Sequence, residues 1–369
     1  MSKRICHITT VHVAKDTRIF QKECVSLAQN GFEVHLIIAN QNVENEKGVQ
    51  FHNIISTTSN RFQRMRKTTR LALKKALEID ADLYHFHDPE LLPVGIKLKK
   101  RGKKVIYDTH EDVPRQILSK YYLPSFIRPI VAGVFEWYEN RIAKKLDAIV
   151  AATPAIRDRF LAKNPNTVDI NNFPILEKFS VPPSEKKVHD ICYVGLISKI
   201  RGIEELVKSL EFTNAKLTLI GNFQSKEEEK KVRALPTWEK VNYLGKRNRT
   251  EVAKILSESK MGVVTFYPEP NHIEAQPNKL FEYMAAGLPS IVSDFPLWRE
   301  IIEENNCGIC VDPQNPKAIG MAVNTLLENP DKCLEMGKNG KQAVTEKYNW
   351  KKQEEKLIQL YHKILSKEN

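Results

Sequence analysis

The chain has 369 residues and a mass of 42.4 kDa, which is long enough for two domains with full cores. Its 41% hydrophobic and 28% charged content is ordinary for a globular protein, and no run of about 18 apolar residues predicts a membrane-spanning helix. A net charge of +12 predicts an anionic partner: nucleic acid, a membrane face or a phosphorylated substrate. The N-terminus turns polar too soon for a signal peptide, and six scattered cysteines fit a reducing cytoplasm.

The first half of the chain alternates apolar, β-branched runs with helical patterns. The runs predict strands at 4–9, 34–38, 83–87, 105–108 and 148–151, and a helix is expected over 17–30, ending at Gly31. Strands that alternate with helices indicate right-handed crossovers and a parallel sheet covered on both faces.

Polar side chains follow three of these strands. They are His12, Asp16 and Arg18, then His87, Asp88 and Glu90, then Asp108, His110, Glu111 and Asp112. Ligands of such sheets collect beyond the carboxyl ends of the strands, so we interpret these residues as facing a cleft, with His110 the strongest candidate. Taken singly, each is more often a solvated loop residue.

Two basic clusters and one aromatic segment also lie in this half. The clusters are Arg61, Arg64, Arg66, Lys67, Arg70, Lys74 and Lys75, and Lys97, Lys99, Lys100, Arg101, Lys103 and Lys104. The segment 121–138 is unusually apolar and aromatic. The segment is interpreted either as a core helix or, together with the basic cluster at 61–75, as a contact with anionic lipid. Solvated helix faces are the alternative explanation of the basic clusters.

A polar, Pro-rich stretch over 171–174 and 181–187 predicts a linker. The alternating pattern then restarts, with strands expected at 191–194, 217–220, 241–244, 262–266, 290–292 and 308–311 and a closing helix at 350–365. The expected fold is therefore α/β, with two doubly wound Rossmann-like domains that face each other across a cleft.

Glycines at strand ends in the second half are typical of phosphate and nucleotide loops. Gly195 precedes a turn with Lys199 and Arg201, and the arginine fork suits a diphosphate best. Gly221 follows the next strand, and Gly245 with Lys246 and Arg247 follows the one after. Each of these signals is weak alone, because strands often end in glycine.

The segment 273–292 is the most informative part of the sequence. Glu274 and Glu282 have seven residues between them, and Pro277 is predicted as the first residue of a short helix. The next residues, Asn278 and Lys279, would then offer unpaired backbone N–H groups at the positive end of the helix dipole. Anion donors flanked by two carboxylates indicate a site for a nucleotide diphosphate that carries a sugar.

Several apparent motifs carry no expected chemistry. Asp80 and Asp82 match a metal-binding spacing but indicate the cap before a strand, and Cys307 and Cys310 run into a strand. The pair His85 and His87 could bind a metal, yet the sequence shows no third ligand. Dehydrogenase, NTPase, serine hydrolase and zincin signatures are absent, as is a nucleic-acid-binding motif.

With these residues in view, the chain resembles the retaining, family 4-like glycosyltransferases of the GT-B fold that assemble bacterial surface polysaccharides. The most specific part is the Glu274 and Glu282 pair around 277–289. Supporting parts are the segments 16–20, 108–112, 193–195 with 201–202, and 348–350. The resemblance spans nearly the whole length. It implies an acceptor-side domain over 1–175, a nucleotide-sugar-binding domain over 176–347, and a helix over 348–369 that crosses back onto the first domain.

The resemblance also implies residue roles. Glu274 would hold hydroxyls of the donor sugar, Glu282 the ribose hydroxyls and Arg201 the diphosphate, with His110 beside the donor sugar. Residues Gly195, Lys199, Gly221, Lys246, Arg247, Asn278 and Lys279 would complete the donor site, and His12, Asp16, Arg18, His87 and Asp88 the acceptor side. The family needs no cofactor and no metal. Two departures are Leu196, where many relatives have arginine, and 9–13, where relatives often have a Gly-rich loop.

The expected activity is transfer of a sugar, with retention, from a nucleotide diphosphate to an acceptor hydroxyl. UDP is the default nucleotide, and the acceptor is a saccharide or lipid-linked saccharide of a surface polysaccharide or glycolipid. A nucleotide-sugar epimerase or hydrolase on the same fold is the alternative. An anionic membrane surface is a further candidate partner, nucleic acid is not expected, and the expected location is the cytoplasm or the inner face of the membrane.

Overall fold

The computed structural model describes residues 2–56, 61–120, 123–179, 184 and 186–366. The chain forms two compact units: unit 1 comprises Met1–Asn172 and Lys351–Asn369, and unit 2 comprises Phe173–Trp350. Some residues named above lie outside the described part, namely 181–183 and 185 of the expected linker, Tyr121 and Tyr122, and the side chains of Arg61 and Arg64.

Unit 1 is built on a seven-stranded parallel sheet within the described residues. In space its strands run β3, β2, β1, β4, β5, β6, β7. Their bounds are β1 Arg4–Ile8, β2 Glu33–Ala39, β3 Val49–Ile54, β4 Leu83–Phe86, β5 Lys104–Thr109, β6 Ala148–Ala151 and β7 Thr167–Asp169. The two strands that the sequence pattern missed, β3 and β7, are the edge strands. Edge strands carry more polar residues or are very short, so they lack a continuous apolar run.

The helices of unit 1 precede or follow these strands in the expected alternation. They are α1 Val25–Gln29, α2 Arg61–Ile79, α3 Leu92–Lys99, α4 Val113–Leu118, α5 Arg128–Ala143 and α6 Pro154–Leu161. The helix expected over 17–30 begins instead with a π-helical turn, Ile19–Cys24, that continues into α1. The Asp16 carboxylate starts it by accepting hydrogen bonds from the backbone N–H groups of Arg18 and Ile19.

The two faces of the unit 1 sheet carry different chemistry. Side chains alternate along each strand, so Phe86 and Tyr107 join an apolar core with α2 and α3 on one face. The opposite face buries polar residues: His7 of β1 is in register with His85 of β4, and both are fully buried. One face therefore provides the main apolar core, and the other holds a polar cluster.

Unit 2 has a six-stranded parallel sheet in the order β10, β9, β8, β11, β12, β13. Its strands are β8 His189–Val194, β9 Leu217–Ile220, β10 Val241–Gly245, β11 Ser259–Val264, β12 Ser290–Ser293 and β13 Gly308–Val311. Consecutive residues such as Val263 and Val264 belong to two separate apolar clusters, so both faces of this sheet are covered. The predicted fold class, two doubly wound Rossmann-like domains, is confirmed.

The helices of unit 2 are named in chain order. They are α7 Ile203–Lys208, α8 Lys226–Arg233, α9 Arg249–Ser257, α10 Pro270–Ile273, α11 Asn278–Ala285, α12 Pro296–Glu304, α13 Pro316–Leu327 and α14 Pro330–Glu346. Short 3₁₀ turns occur at Pro89–Leu91, Leu176–Phe179, Lys199–Arg201, Ser209–Phe212 and Pro236–Lys240. The strand order reverses at β8 and β11, the position where open α/β sheets bind ligands.

The last helix, α15 Trp350–Ser366, returns the chain to unit 1. Its Tyr361 is fully buried, and the phenol oxygen lies 2.7 Å from His85 Nδ1 and 3.1 Å from His7 Nε2. These contacts join α15 to the polar face of the unit 1 sheet. No described helix is both long and apolar enough to cross a bilayer.

Candidate donor site and a buried polar cluster

Three glycines form a close-packed backbone edge at the ends of β8, β9 and β10. Gly195 N–H donates to the carbonyl of Ile220 at 2.8 Å, and Gly221 N–H donates to Gly245 at 2.9 Å. Gly221 has φ 142°, and a Cβ there would lie 1.8 Å from the Gly195 carbonyl oxygen. Only glycine fits this approach, so the strand ends leave an edge without side chains.

Lys279 of α11 lies directly against this edge. A Cβ on Gly195 would come within 2.3 Å of Lys279 Cε, so the glycine makes room for the lysine side chain. The Nζ atom donates to Tyr193 Oη at 2.9 Å and lies 4.4 Å from the centre of the Tyr193 ring and 5.0 Å from that of Phe266. The side-chain amino group is thus held over two aromatic rings.

Arg201 also lies over the Phe266 ring. Its guanidinium carbon is 4.8 Å from the Phe266 ring centre. The 3₁₀ turn that carries it ends at Gly202, which has φ 69° and whose Cβ would lie 1.8 Å from the Thr265 carbonyl oxygen. The turn can pack this closely on the end of β11 only because residue 202 is glycine.

Arg201 and Lys279 are two neighbouring basic side chains. Among the described residues, neither Arg201 nor Lys279 forms an ion pair. Burial, followed by the nearby charge of Arg201, holds the pKa of Lys279 well below its usual range. A guanidinium beside a lysine whose charged form is disfavoured until an anion arrives is an arrangement expected of an anion site.

The start of α11 adds backbone donors to this site. Pro277 was predicted as the first helical residue, and this prediction is wrong by one position. The ψ of Pro277, 124°, is extended, so this residue caps the helix and Asn278 begins it. The carbonyl oxygen of Pro277 accepts a hydrogen bond from Leu280 N–H at 3.1 Å. Within the described part of the chain, the N–H groups of Asn278 and Lys279 have no backbone acceptor, so the helix terminus still presents donors and a positive dipole.

The two carboxylates of the sequence motif lie on either side of this helix start. Glu274 is exposed and ends the short helix α10. Glu282 is half-buried on α11, with Oε1 3.9 Å from Arg249 Nη1. Along the chain, the backbone N–H donors at the start of α11 therefore lie between the two carboxylates.

The remaining candidate donor residues are more exposed. Lys199 is exposed, and its backbone N–H donates to the Glu228 carboxylate. Lys246 and Arg247 are exposed just beyond β10, with Arg247 Nε 3.9 Å from Glu251 Oε1. The structure therefore brings Gly195, Gly221, Arg201, Lys279 and Asn278 to one edge and leaves these three cations toward solvent.

Three polar residues around the site were not singled out from the sequence. Ser198 Oγ, Thr265 Oγ1 and Gln276 Oε1 are buried and have no hydrogen-bond partner among the described residues. Ser198 precedes the Arg201 turn, and the Thr265 Oγ1 atom lies 3.1 Å from the Cβ position of Gly202. The only sequence signal for Thr265 was a single polar residue at the end of an apolar strand.

In unit 1, Asp108 is the centre of a buried polar cluster. Arg18 holds it bidentately, with Nε–Oδ2 and Nη2–Oδ1 distances of 2.9 Å. His87 Nδ1 and His110 Nε2 lie 3.0 and 2.8 Å from Oδ2. Burial alone would raise the pKa of Asp108, but Arg18 and the two histidines hold it well below its usual range. The carboxylate therefore orients the His110 ring through Nε2, and Nδ1 is the ring nitrogen that does not contact Asp108.

The histidine pair for which the sequence showed no third ligand has further neighbours in the structure. His7 and Glu23 join His85 and His87, and their ligand-type atoms all lie within 4.8 Å of one another. His7 Nδ1 is 2.9 Å from His87 Nε2, a hydrogen-bond distance, and burial lowers the pKa of His87 to about 4. The rings of His7, His85 and His87 are therefore neutral. Hydrogen bonds link them in a chain that includes the Tyr361 hydroxyl.

Glu23 is the unusual member of this cluster. It is fully buried, Arg18 Nε lies 3.1 Å from its Oε1, and neither carboxylate oxygen has a hydrogen-bond partner among the described residues. Burial, and then the negative charge of Asp108, raise the pKa of Glu23 well above its usual range. Arg18 thus serves two carboxylates, of which Asp108 carries the charge.

Few of the acceptor-side candidates are open to solvent. Arg18, His87 and Asp88 are buried, and Asp88 accepts hydrogen bonds from Thr9 and Thr10. The side chains of His12 and His110 are 31% and 16% exposed, with ring centres 4.9 Å apart. These two imidazoles are the part of the cluster that a ligand can reach, and Asp16 serves to start the first helix.

Comparison with known proteins covers both units. Residues 21–170 match the model of the family described as Glycosyltransferase Family 4, and residues 175–343 match that of Glycosyl transferases group 1. An uncharacterised glycosyltransferase of Methanocaldococcus jannaschii is 26% identical, over 91% of this chain and 90% of its own length. The D-rhamnosyltransferase WbpZ of Pseudomonas aeruginosa is 24% identical, over 72% and 68%.

Solved structures share the fold over the whole chain. Sucrose-phosphate synthase from Thermosynechococcus elongatus has a TM-score of 0.79 at 19% identity and covers 99% of both chains. HepE of Anabaena, in a structure with UDP, has a TM-score of 0.75 at 14% identity and covers 98% of this chain and 100% of its own. HepE has also been solved with UDP-glucose.

Proposed function

The chain belongs to the GT-B glycosyltransferases, and from that premise we propose that it transfers a sugar from a UDP-sugar to an acceptor hydroxyl with retention of anomeric configuration. The observation that carries this proposal is the pair Arg201 and Lys279. Two basic side chains without an ion-pair partner in the described residues lie on one aromatic surface beside the start of α11. A diphosphate supplies the negative charge that this arrangement lacks.

The reaction itself explains why charge is placed there. Breaking the bond between the anomeric carbon and the phosphate oxygen leaves a cation-like sugar and a diphosphate that gains negative charge. Donors that are already in position stabilise that charge without reorganising, which is usually the largest catalytic contribution. In this proposal Arg201, Lys279 and the N–H groups that begin α11 balance the diphosphate, so no metal ion is required for the transfer.

The two carboxylates then bind the sugars at the ends of the donor. Glu282, on α11 beside Arg249, accepts hydrogen bonds from the ribose hydroxyls, and Glu274, before the helix, accepts them from the donor sugar. Carboxylate oxygens are strong acceptors for vicinal hydroxyls. The UDP and UDP-glucose found with HepE support a uridine nucleotide as the donor.

Retention follows from attack on the face that the diphosphate leaves. The acceptor oxygen forms the new bond to the anomeric carbon, and its proton passes to the departing phosphate oxygen. His110, oriented by Asp108 through Nε2, hydrogen-bonds a sugar hydroxyl through Nδ1, while unit 1 takes the acceptor. The relation to WbpZ, a D-rhamnosyltransferase, supports a sugar as the transferred group. A saccharide acceptor, in polysaccharide or glycolipid assembly, is part of the proposal.

A panel of nucleotide sugars tests this function. UDP-sugars, with EDTA present throughout, are expected to raise the melting temperature by mass action. The stabilising donor should then glycosylate a saccharide or lipid-linked acceptor, with the anomeric configuration of the donor kept in the product NMR spectrum. Free UDP formed equally fast without acceptor, or an epimerised donor, would show a different activity. Loss of turnover with EDTA would contradict the metal-free site.

A further inference from the structure

The exposed side of α5 and the residue just before the helix carry four exposed apolar side chains that the proposed reaction does not use. Phe126, Ile130, Val134 and Trp137 are 75%, 65%, 62% and 63% exposed. We propose that this side of α5 rests on the headgroup layer of an anionic lipid bilayer. The α5 face, as we call it, consists of these four residues together with Arg141 and Lys144.

The orientation of α5 is fixed by its opposite side. Glu139 is fully buried there, its Oε1 accepting from Tyr107 Oη and its Oε2 from Arg159 Nη1, both at 2.9 Å. Rotating the helix to bury Trp137 would expose Ala132 and break both contacts, leaving Arg159 with only the longer 3.5 Å contact from its Nε to Asp112 Oδ2. The helix therefore presents its aromatic side to solvent because a buried charge pair holds its polar residue inside.

The spacing on α5 forms one continuous stripe. Residues 130, 134, 137, 141 and 144 are separated alternately by four and three positions, which places them on one side of a helix. The first three are apolar and the last two are basic. Arg141 lies over the Trp137 ring, with its guanidinium carbon 5.8 Å from the ring centre. Apolar side chains and cations thus meet on one surface.

The cations of this stripe are available to an outside anion. Arg141, Lys144 and the neighbouring Lys145 are exposed, and none of them forms an ion pair with another described residue. Tyr138, 37% exposed, borders the same side. A tryptophan and a tyrosine beside lysine and arginine is the composition that proteins place at the boundary between acyl chains and headgroups.

A bilayer matches both halves of the α5 face, and other partners match only one. An apolar partner would leave Arg141 and Lys144 unpaired, and a second copy of the chain would bring like charges together. Lipid acyl chains accept the aromatic part, while headgroup phosphates neutralise the cations. Each neutralised lysine or arginine is worth roughly a fivefold gain in affinity. The net charge of +12 adds long-range attraction to the same surface.

This inference does not depend on the transfer reaction. Vesicle binding needs no donor or acceptor, so failure to bind vesicles would leave the proposed function intact. Conversely, a protein that binds vesicles but transfers no sugar would contradict only the function. The two proposals are tested on the same purified chain by separate measurements.

The test is flotation of the full chain with vesicles of phosphatidylcholine, with and without phosphatidylglycerol. We expect binding to the anionic vesicles that falls with salt. Val134→Ser with Trp137→Ser should weaken it at least about tenfold, and Arg141→Gln with Lys144→Gln should do the same. Because all four positions are exposed, the variants should keep the melting temperature of the wild type. A blue shift of Trp137 emission, absent in a Trp137→Phe variant, should accompany binding.

Matched controls lie in unit 2. Met321 and Leu334 are each 58% exposed, so Met321→Ser with Leu334→Ser removes similar apolar surface elsewhere and should leave binding unchanged. Equal binding by all variants, or no binding to anionic vesicles, would overturn the proposal. A concentration-dependent dimer that only the Val134 and Trp137 changes abolish would show that a second copy occupies this face instead, and would also overturn it.

Discussion

Arg201→Ala is expected to lower turnover at saturating donor by about a hundredfold or more, because one preorganised donor to developing negative charge typically contributes about 3–4 kcal/mol. The guanidinium lies on Phe266 beside Lys279 and forms no ion pair with another described residue, so its charge is available to the proposed diphosphate. Since the diphosphate gains charge as the bond breaks, the loss should fall mainly on kcat. The Arg201 side chain is close-packed but polar, so the Arg201→Ala variant should still fold.

The comparison variants for Arg201 are a conservative change and a distant one. Arg201→Lys keeps the charge but loses the two-pronged contact, and it should retain an intermediate rate. Arg299→Ala removes an exposed arginine that pairs with Asp294 in the same unit and should leave kcat unchanged. Wild-type turnover by Arg201→Ala, measured with saturating donor and acceptor, would show that another group stabilises the leaving diphosphate.

Asp108→Asn is expected to destabilise the protein by about 3 kcal/mol, since it leaves the buried guanidinium of Arg18 facing a neutral amide. The estimate is at the low end for a broken buried pair because Glu23, 3.1 Å from Arg18 Nε, can ionise once Asp108 no longer opposes it. The pKa of Asp108 is depressed in the folded state. Its contribution is therefore present above its unfolded pKa and lost as the pH falls through the folded pKa.

A double-mutant cycle separates these two carboxylates. Glu23→Gln alone should cost less than about 1 kcal/mol, because Glu23 is held neutral while Asp108 is charged. The double change, Glu23→Gln with Asp108→Asn, should cost more than the sum, since Arg18 then has no carboxylate. Denaturant unfolding measures all three free energies. Additive costs, or a cost for Asp108→Asn as small as that of the exposed control Asp158→Asn, would contradict the shared-arginine arrangement.

The sequence predicted the fold because the central strands are continuous apolar runs between helical patterns. The edge strands Val49–Ile54 and Thr167–Asp169 escaped, one being polar on its open side and the other only three residues long. It also identified the segment around Glu274 and Glu282, since a proline, a helix start and two acids are local features. Pro277 was placed one position too far into the helix, and local propensity does not distinguish those positions.

Long-range packing explains what the sequence could not predict. His7 meets His85 through strand register, and Glu23 reaches them from a helix, so no spacing in the chain reveals the cluster. The side of α5 that faces inward is set by Arg159, 20 residues away from Glu139. Local composition alone left the aromatic segment open to either interpretation. Thr265 lies beside Gly202 only because β11 and the turn at Gly202 pack together.

The donor diphosphate is proposed to bind beside Lys279, between Arg201 and the start of α11. Calorimetry of UDP binding in buffers of different ionisation enthalpy tests it, at a pH where free UDP is fully ionised. Burial and Arg201 keep the pKa of Lys279 low in the free protein, so a neighbouring diphosphate should restore its charge. Wild type should take up protons with UDP but not with uridine, and Lys279→Met should take up none. Proton uptake that is the same for UDP and uridine, or that persists in Lys279→Met, would place the diphosphate elsewhere.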